Sequence, residues 1–231
     1  PHKWKHLLVT ALGKKDKHRG LTSSYRAIFV TAWLSRVGET VFAWLDRAAL
    51  ARVPQQLIGL KQKHGLHPCQ LGFRQGLGDV VVSLASAELF SLAKDKNRLF
   101  IQIFIDLDGA FPHDTEQDAL QELEFAGATS AGIAFDAAIG GPCTLTAKAG
   151  AFRSDPVRIE SGLKAGRKSC PKAWAAYTRP LLTELNSAVA EATVKSLGYG
   201  ITAGVALADA DDFSILCVSD HHGLPILFKK L

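Results

Sequence analysis

Three carboxylates crowd into four residues between two apolar runs, and no other feature constrains the chain as much. The stretch is LADADDFSIL, residues 207 to 216. Val205-Ala206-Leu207-Ala208 leads into Asp209, Asp211 and Asp212; Phe213 and Ile215-Leu216-Cys217-Val218 come after. Two short apolar runs joined by a polar turn predict paired strands, Tyr199 to Ala208 and Phe213 to Val218. Asp charges gathered beside apolar chain cost free energy unless something neutralises them.

A second strand has a matching end. Leu99 to Ile105, LFIQIFI, is apolar nearly throughout and rich in β-branched and aromatic residues, as expected of a strand buried on both faces. It delivers Asp106. A lone Asp at a strand end can equally serve as an Asx-turn or a helix cap. If the three strands share a sheet, however, their carboxylates converge and require a cation. Hard oxygen ligands select Mg²⁺ or Mn²⁺. A pair of such ions about 3.5–4 Å apart can activate an attacking hydroxyl and stabilise a leaving pyrophosphate.

The remaining pattern is mixed α and β. Trp4 to Leu12 reads as a strand or short helix. Apolar residues recur at helical spacing from Ile28 to Leu50 (Trp33, Val37, Val41, Trp44, Leu45), which predicts an amphipathic helix with that stripe inward and a kink near Gly38. HGLHPCQLGFRQGLG, residues 64 to 78, is a Gly-rich loop. His64, His67 and Cys69 in it could be metal ligands, but a surface loop ending at Pro68 is the simpler reading. Helices are predicted over Val80–Ala93 and Thr115–Phe125, the latter with Ala119, Leu120 and Leu123 inward. Gly127 to Gly141 is too rich in Ala and Gly to assign. Pro156–Ile159 reads as a strand, and Lys172–Leu197 as one long helix kinked at Pro180.

Composition narrows the class. Hydrophobic content of 47% with 21% charged residues is ordinary for a globular protein. No run of about 18 uncharged apolar residues occurs, which argues against a membrane span. The four cysteines are widely spaced with no C-x-x-C, so a disulfide scaffold is not expected and a reducing, intracellular setting (nuclear or cytoplasmic) is. The absence of Met suggests a piece of a longer polypeptide with further domains, or a processed chain. Residues 1 to 26 carry seven Lys and Arg against Asp16, a balance of +6 in a total of +5, so the remainder sums to −1. A basic end on a near-neutral body suits a polyanionic partner, although a solvated Lys-rich end needs none.

In order along the chain, KKDKHRGLTSSYRAI, QLGFR (70 to 74), IDLDGAF (105 to 111), SGLKAGRKSCPKAW (161 to 174) and ADADDFSIL resemble the ordered motifs of reverse transcriptases. The resemblance is to the type found in non-long-terminal-repeat retrotransposons and group II introns, and HHGLPILFKKL resembles the helix after the A-D-D hairpin in that group. It implies an α+β right-hand polymerase fold: a mostly helical fingers region over 1–98, and over 99–231 an antiparallel palm sheet backed by helices, with the thumb absent. It implies Asp106, Asp211 and Asp212 as catalytic residues, with Asp106 and Asp211 holding Mg²⁺ or Mn²⁺. Lys14 (or Lys15) and Arg26 would hold the dNTP triphosphate, a role suited to a point charge and a guanidinium fork. Phe111 would lie under the incoming sugar. Gly162, Ala165, Gly166 and Arg74 would meet an RNA template and DNA primer. The sequence departs from the family at Pro112, Ala165, Cys170 and Asp209. Those departures keep open a decayed polymerase fold that binds RNA or assembles with partners. A metal-dependent nuclease on the same carboxylates is a third reading.

Overall fold

A computed structural model describes residues 6–13, 25–30, 33–50, 65–74, 76–107, 116–149, 151–160, 162–164, 166–195 and 200–220. The elements run β1 (His6–Gly13), β2 (Tyr25–Val30), α1 (Trp33–Leu50), α2 (Asp79–Asp95), β3 (Leu99–Asp106), α3 (Glu116–Ala126), α4 (Ser130–Gly140), β4 (Cys143–Ala149), β5 (Phe152–Arg153), β6 (Val157–Ile159), α5 (Cys170–Tyr177), α6 (Arg179–Lys195), β7 (Ile201–Asp209) and β8 (Asp212–Ser219). They form two compact units, each built from two chain segments: Pro1–Gly65 with Gly109–Tyr177, and Leu66–Asp108 with Thr178–Leu231. No helix among the described residues is long and apolar enough to cross a membrane.

The first unit holds a sheet in which β1 lies between antiparallel β2 and parallel β4, with β5 and β6 both antiparallel on the far edge of β4. Residues 28 to 30, expected to open the first helix, are therefore strand. In α1 the expected orientation is reversed. Val37, Val41, Leu45 and Trp44 stand outward, Trp44 at 70% exposure, while Ser35, Glu39 and Asp46 are buried.

Partners from distant segments explain the inversion. Glu39 accepts from Arg167 Nε at 2.9 Å, from the Lys168 amide at 3.1 Å and from Ser169 Oγ at 3.3 Å. Asp46 accepts from the amide and hydroxyl of Thr129 at 2.8 and 2.7 Å and from Lys172 Nζ at 3.1 Å. Lys172 also pairs with Asp136 at 2.8 Å, and Lys164 and Arg167 approach Glu116 at 3.7 and 3.8 Å. Burial pushes the carboxyls of Glu116 and Asp136 up, against the pull of these cations. Beside Lys164, Arg167 and Asp136 lies a cavity of about 20 Å³, room for one water.

The segment too rich in Ala and Gly to assign is α4, N-capped by Thr129, whose Oγ1 accepts from Gly132 N at 3.1 Å. Its glycines admit the acids: a Cβ on Gly132 would lie 2.5 Å from Asp46 Oδ2, and one on Gly140 would collide with the Glu116 carboxylate. Gly38 makes room in the same way for the ring of Phe135, which stacks on Phe42 at 4.6 Å.

The second unit is simpler. Its sheet has the order β3-β8-β7, antiparallel throughout. Both faces are covered: α6 brings Val189, Ala192 and Leu185 against Ile215, Cys217, Ala206, Ile101 and Ile103. On the opposite face, α2 brings Val81, Val82, Ala85 and Leu89 against Leu216, Leu207, Val205 and Phe100. Residues 213 to 218 of β8 are consequently all buried, each large side chain contributing about 1.5–3 kcal/mol. The expected single helix over 172–197 is broken at Thr178, because Pro180 has no N–H to continue the ladder; it sits instead in the first turn of α6.

Leu66, His67, Gln70, Leu71 and Gly72 are buried, so this part of the Gly-rich loop is not a surface loop. His67 Nδ1 accepts from the Cys69 amide at 3.2 Å. Burial first, then Arg179 and Arg74, press its pKa down from 6.5 to about 4.

Two measurements test this packing. Gly140→Ala should lower unfolding stability by about 1–3 kcal/mol, measured by urea denaturation, because the half-buried Glu116 carboxylate must move to admit a methyl. For His67, the unfolded chain takes a proton below pH 6.5 while the folded chain resists it until about pH 4. This group therefore withdraws stability as pH falls through that window. The difference in stability between wild type and His67→Gln should change across pH 6.5 to 4 and be flat above it.

Candidate functional site

The ladder register decides where the acids stand. Asp106 at the end of β3 pairs with Asp212 at the start of β8, and Asp212 pairs in turn with Asp209 at the end of β7. Directly paired residues of neighbouring strands point to the same face with Cβ atoms about 4.5–5.5 Å apart. Three carboxylates thus form one row across the end of the sheet, with Asp212 in the middle. Asp211 occupies the two-residue turn beside the row, next to Ala210. The φ of Ala210 is 58°, in the left-handed region that residues with a Cβ rarely adopt.

A fourth acid joins from α2. Asp79 opens that helix after Gly78, and its carboxyl shares a hydrogen bond with Asp209. This bond, the local burial and the charge of Asp79 push Asp209 up to about 6. Asp212 is raised as well, first by burial and then by the charges of Asp211, Asp106 and Asp79. Between α2 and β3 lies a cleft of about 840 Å³, lined by Asp79, Asp106, Asp209 and Asp212 together with Ser83, Gln102 and Phe104. Among the described residues, no Lys, Arg or His lines it.

The carboxylates are an open row, not a closed cage: among the described residues, no three His, Cys, Asp or Glu side chains are grouped to hold a metal ion. The donor chemistry nevertheless fits Mg²⁺, which takes hard oxygens, keeps several waters and is held by one or two carboxylates plus substrate phosphate. Uncompensated charge at Asp212 fits the same ion.

The hairpin is held from one side by the QLGFR segment. Gln70 forms a parallel bridge with Ala208, supported by Leu71 N to Ala208 O at 2.7 Å and Ala208 N to Cys69 O at 2.9 Å. A Cβ on Gly72 would collide with the Ala210 amide, so only glycine allows this approach. Arg74 turns its guanidinium onto the carbonyls of His67, Pro68 and Gln70, at 3.3–3.5 Å.

The other expected site residues lie in the first unit or outside the described residues. Arg26 is in β2, opposite Leu12. Gly162 and Gly166 have φ of 88° and 104°, and a Cβ on Gly166 would lie 2.7 Å from the Phe29 carbonyl. Lys164 and Arg167 of the same loop are turned into the ion network described above. Lys14, Lys15, Phe111, Pro112 and Ala165 lie outside the described residues. Sequence reasoning did not single out Asp79 or Gln70. A carboxylate directly after the Gly-rich loop, at the start of a helix, is the one local signal for Asp79; for Gln70 it is the polar residue inside QLGFR.

Solved structures supply a comparison. Apo telomerase from Candida tropicalis, truncated from its C-terminal domain, superposes with a TM-score of 0.58 at 11% identity. The match covers 100% of this chain and 47% of that one. Telomerase from Candida albicans, solved in complex with a TWJ fragment of telomeric RNA, gives 0.55 at 8% identity over 97% of this chain and 38% of that one. The fold is similar to that of these telomerases. The chain spans less than half the length of these telomerases. No family model matches the sequence, and no curated protein does.

The raised pKa of Asp209 gives a measurable consequence. A raised carboxyl pKa means that Asp209 withdraws stability as pH rises from 3.8 through about 6. Asp209→Asn keeps a donor toward Asp79 and removes the charge. It should raise the melting temperature at pH 8 and change it little at pH 4, by differential scanning fluorimetry without divalent ions.

Proposed function

We propose that this chain is the catalytic core of an RNA-directed DNA polymerase of retroelement type, extending a DNA primer on an RNA template with dNTPs. The observation that carries the reading is the acid row: Asp106, Asp212 and Asp209 in one register across the sheet end, with Asp211 on the adjoining turn. The telomerase-like fold and the five ordered motifs support it. In this reading β3, β7 and β8 are the palm sheet, with α2 and α6 packed on its faces.

Asp106 and Asp211 would hold Mg²⁺, with Asp212 beside them. When bound, that ion supplies charge stabilisation at the phosphoryl oxygens and lowers the pKa of the attacking hydroxyl. The chain's own part is to hold the carboxylates close together on a rigid sheet end. It also presents a cleft whose described lining holds no cation, so that a phosphate enters only with its metal. Lys14, Arg26 and Phe111 would meet the nucleotide, and Gly162, Ala165 and Gly166 the template and primer.

One group of observations favours the second reading, a polymerase fold that binds RNA or a partner without catalysis. Arg74, Lys164 and Arg167, cations of two motif loops, are turned onto protein groups. The two readings separate in one experiment. Polymerisation predicts primer extension on an RNA template with Mg²⁺, reduced at least a hundredfold by Asp106→Asn or Asp211→Asn, and a melting temperature that rises with millimolar Mg²⁺. Salt-sensitive RNA binding with no Mg²⁺ response, or equal extension by wild type and the Asn variants, would leave the binding module as the function.

A further inference from the structure

Gln70 is fully buried, yet its hydrogen bonds go to the part of the molecule where the acids turn. Its Nε2 donates to Thr178 Oγ1 at 3.0 Å and to the Ala210 carbonyl at 3.2 Å, and its Oε1 accepts from the Gly72 amide at 3.0 Å. Both amide protons are therefore used. The Ala210 carbonyl belongs to the peptide that leads into Asp211, so holding that oxygen fixes the peptide plane and the direction in which Asp211 leaves the turn. Ala210 also needs holding. Its left-handed φ of 58° is disfavoured for a residue with a Cβ. The neighbouring contacts act on the same turn from the same side: the ladder bonds between Cys69, Leu71 and Ala208, and the close pass of Gly72 under the Ala210 amide.

We propose that Gln70 is a positioning residue of the acid row: its amide pins the Ala210–Asp211 peptide and thereby sets the carboxylates of Asp211 and Asp212 for the divalent ion. The inference rests on the reading that the row binds Mg²⁺, but its effect on the turn does not. A purely structural Gln would cost stability when removed and leave the metal response unchanged. Thr178 provides the comparison, because Thr178→Val removes the other acceptor of the same amide and leaves the Ala210 carbonyl held.

The test uses the whole chain with Gln70→Met, Thr178→Val and Asp212→Asn. Gln70→Met should raise the Mg²⁺ concentration at half-maximal melting shift about tenfold and speed amide hydrogen exchange at Asp211 and Asp212 about tenfold. Thr178→Val should lower the melting temperature and move neither readout by more than twofold. If Gln70→Met behaves like Thr178→Val, Gln70 is structural and the proposal fails. If neither wild type nor Asp212→Asn responds to Mg²⁺, the metal reading fails, and hydrogen exchange at the turn still decides whether Gln70 pins it. Should Gln70→Met not fold, Gln70→Glu replaces it. That variant keeps the acceptor for Gly72 and loses the donor toward Ala210, and the same two outcomes are read from it.

Discussion

Asp212 sits between two other carboxylates in a β-ladder, and the second unit is organised around tolerating that arrangement. Like charges directly opposite in a sheet are destabilising. A slip of one residue in the register of β8 would separate them, but it would also turn Phe213, Ile215 and Cys217 to the α2 face and Ser214 and Leu216 to the α6 face. Because both faces are packed, the core resists that exchange with several kcal/mol. The apolar strand thus fixes the register, and the register forces the acids together. Local relief then comes from the hydrogen bond between Asp209 and Asp79 and from exposure of the strand ends. A cation at the row would complete the relief, because Asp212 still faces the charges of Asp211, Asp106 and Asp79.

The first unit handles charge in the opposite way, by burying it. Glu39, Asp46, Glu116 and Asp136 face Lys164, Arg167 and Lys172 inside the protein, four acids against three bases. Such networks add little net stability over apolar packing, yet removing one partner is costly, so they act mainly to specify a unique arrangement. What they specify here is the loop at 162–169. Its backbone is tied at Lys168 N, and two of its cations are anchored to α1 and α3. Lys164 and Arg167 are thus committed inward, while Gly166 and Lys168 are exposed.

The acid row was legible in outline and the ion network was not, for a physical reason. The runs around Asp209, Asp211 and Asp212 and LFIQIFI all announce strands by their apolar content. β8 is buried on both faces as such a run requires, whereas β3 proves to be an edge strand that is only half-buried, with Phe104 exposed. The hairpin is implied by apolar runs separated by the four residues Asp209 to Asp212, three of them acidic. In α1, periodicity correctly located a stripe at Val37, Val41, Trp44 and Leu45 but could not tell which side faces inward. That choice was made by Arg167, Lys172 and Thr129, more than eighty residues away. The α4 segment lacked contrast because its glycines are cut to fit Asp46 and Glu116. The roles of Gln70 and Asp79 depend on pairings across the second unit that no local pattern encodes.

Asp209 shows how motif and ladder register combine. Asp209 is one of the positions where the sequence departs from the motifs it resembles, so its carboxylate looks like damage to the motif. In the ladder it is a third member of the row, and its partner Asp79 is also outside the motif set. The hydrogen bond to Asp79 and that group's charge raise the Asp209 carboxyl to about 6, so this end of the row loses charge earlier than an ordinary carboxylate as pH falls. The side toward Asp106 has no such partner among the described residues lining the cleft. The row is therefore polarised, with its demand for a cation concentrated on Asp106, Asp212 and the adjoining Asp211. The extra carboxylate at Asp209 leaves that demand in place, because its hydrogen bond is made to Asp79 and not to the Asp106 side of the row.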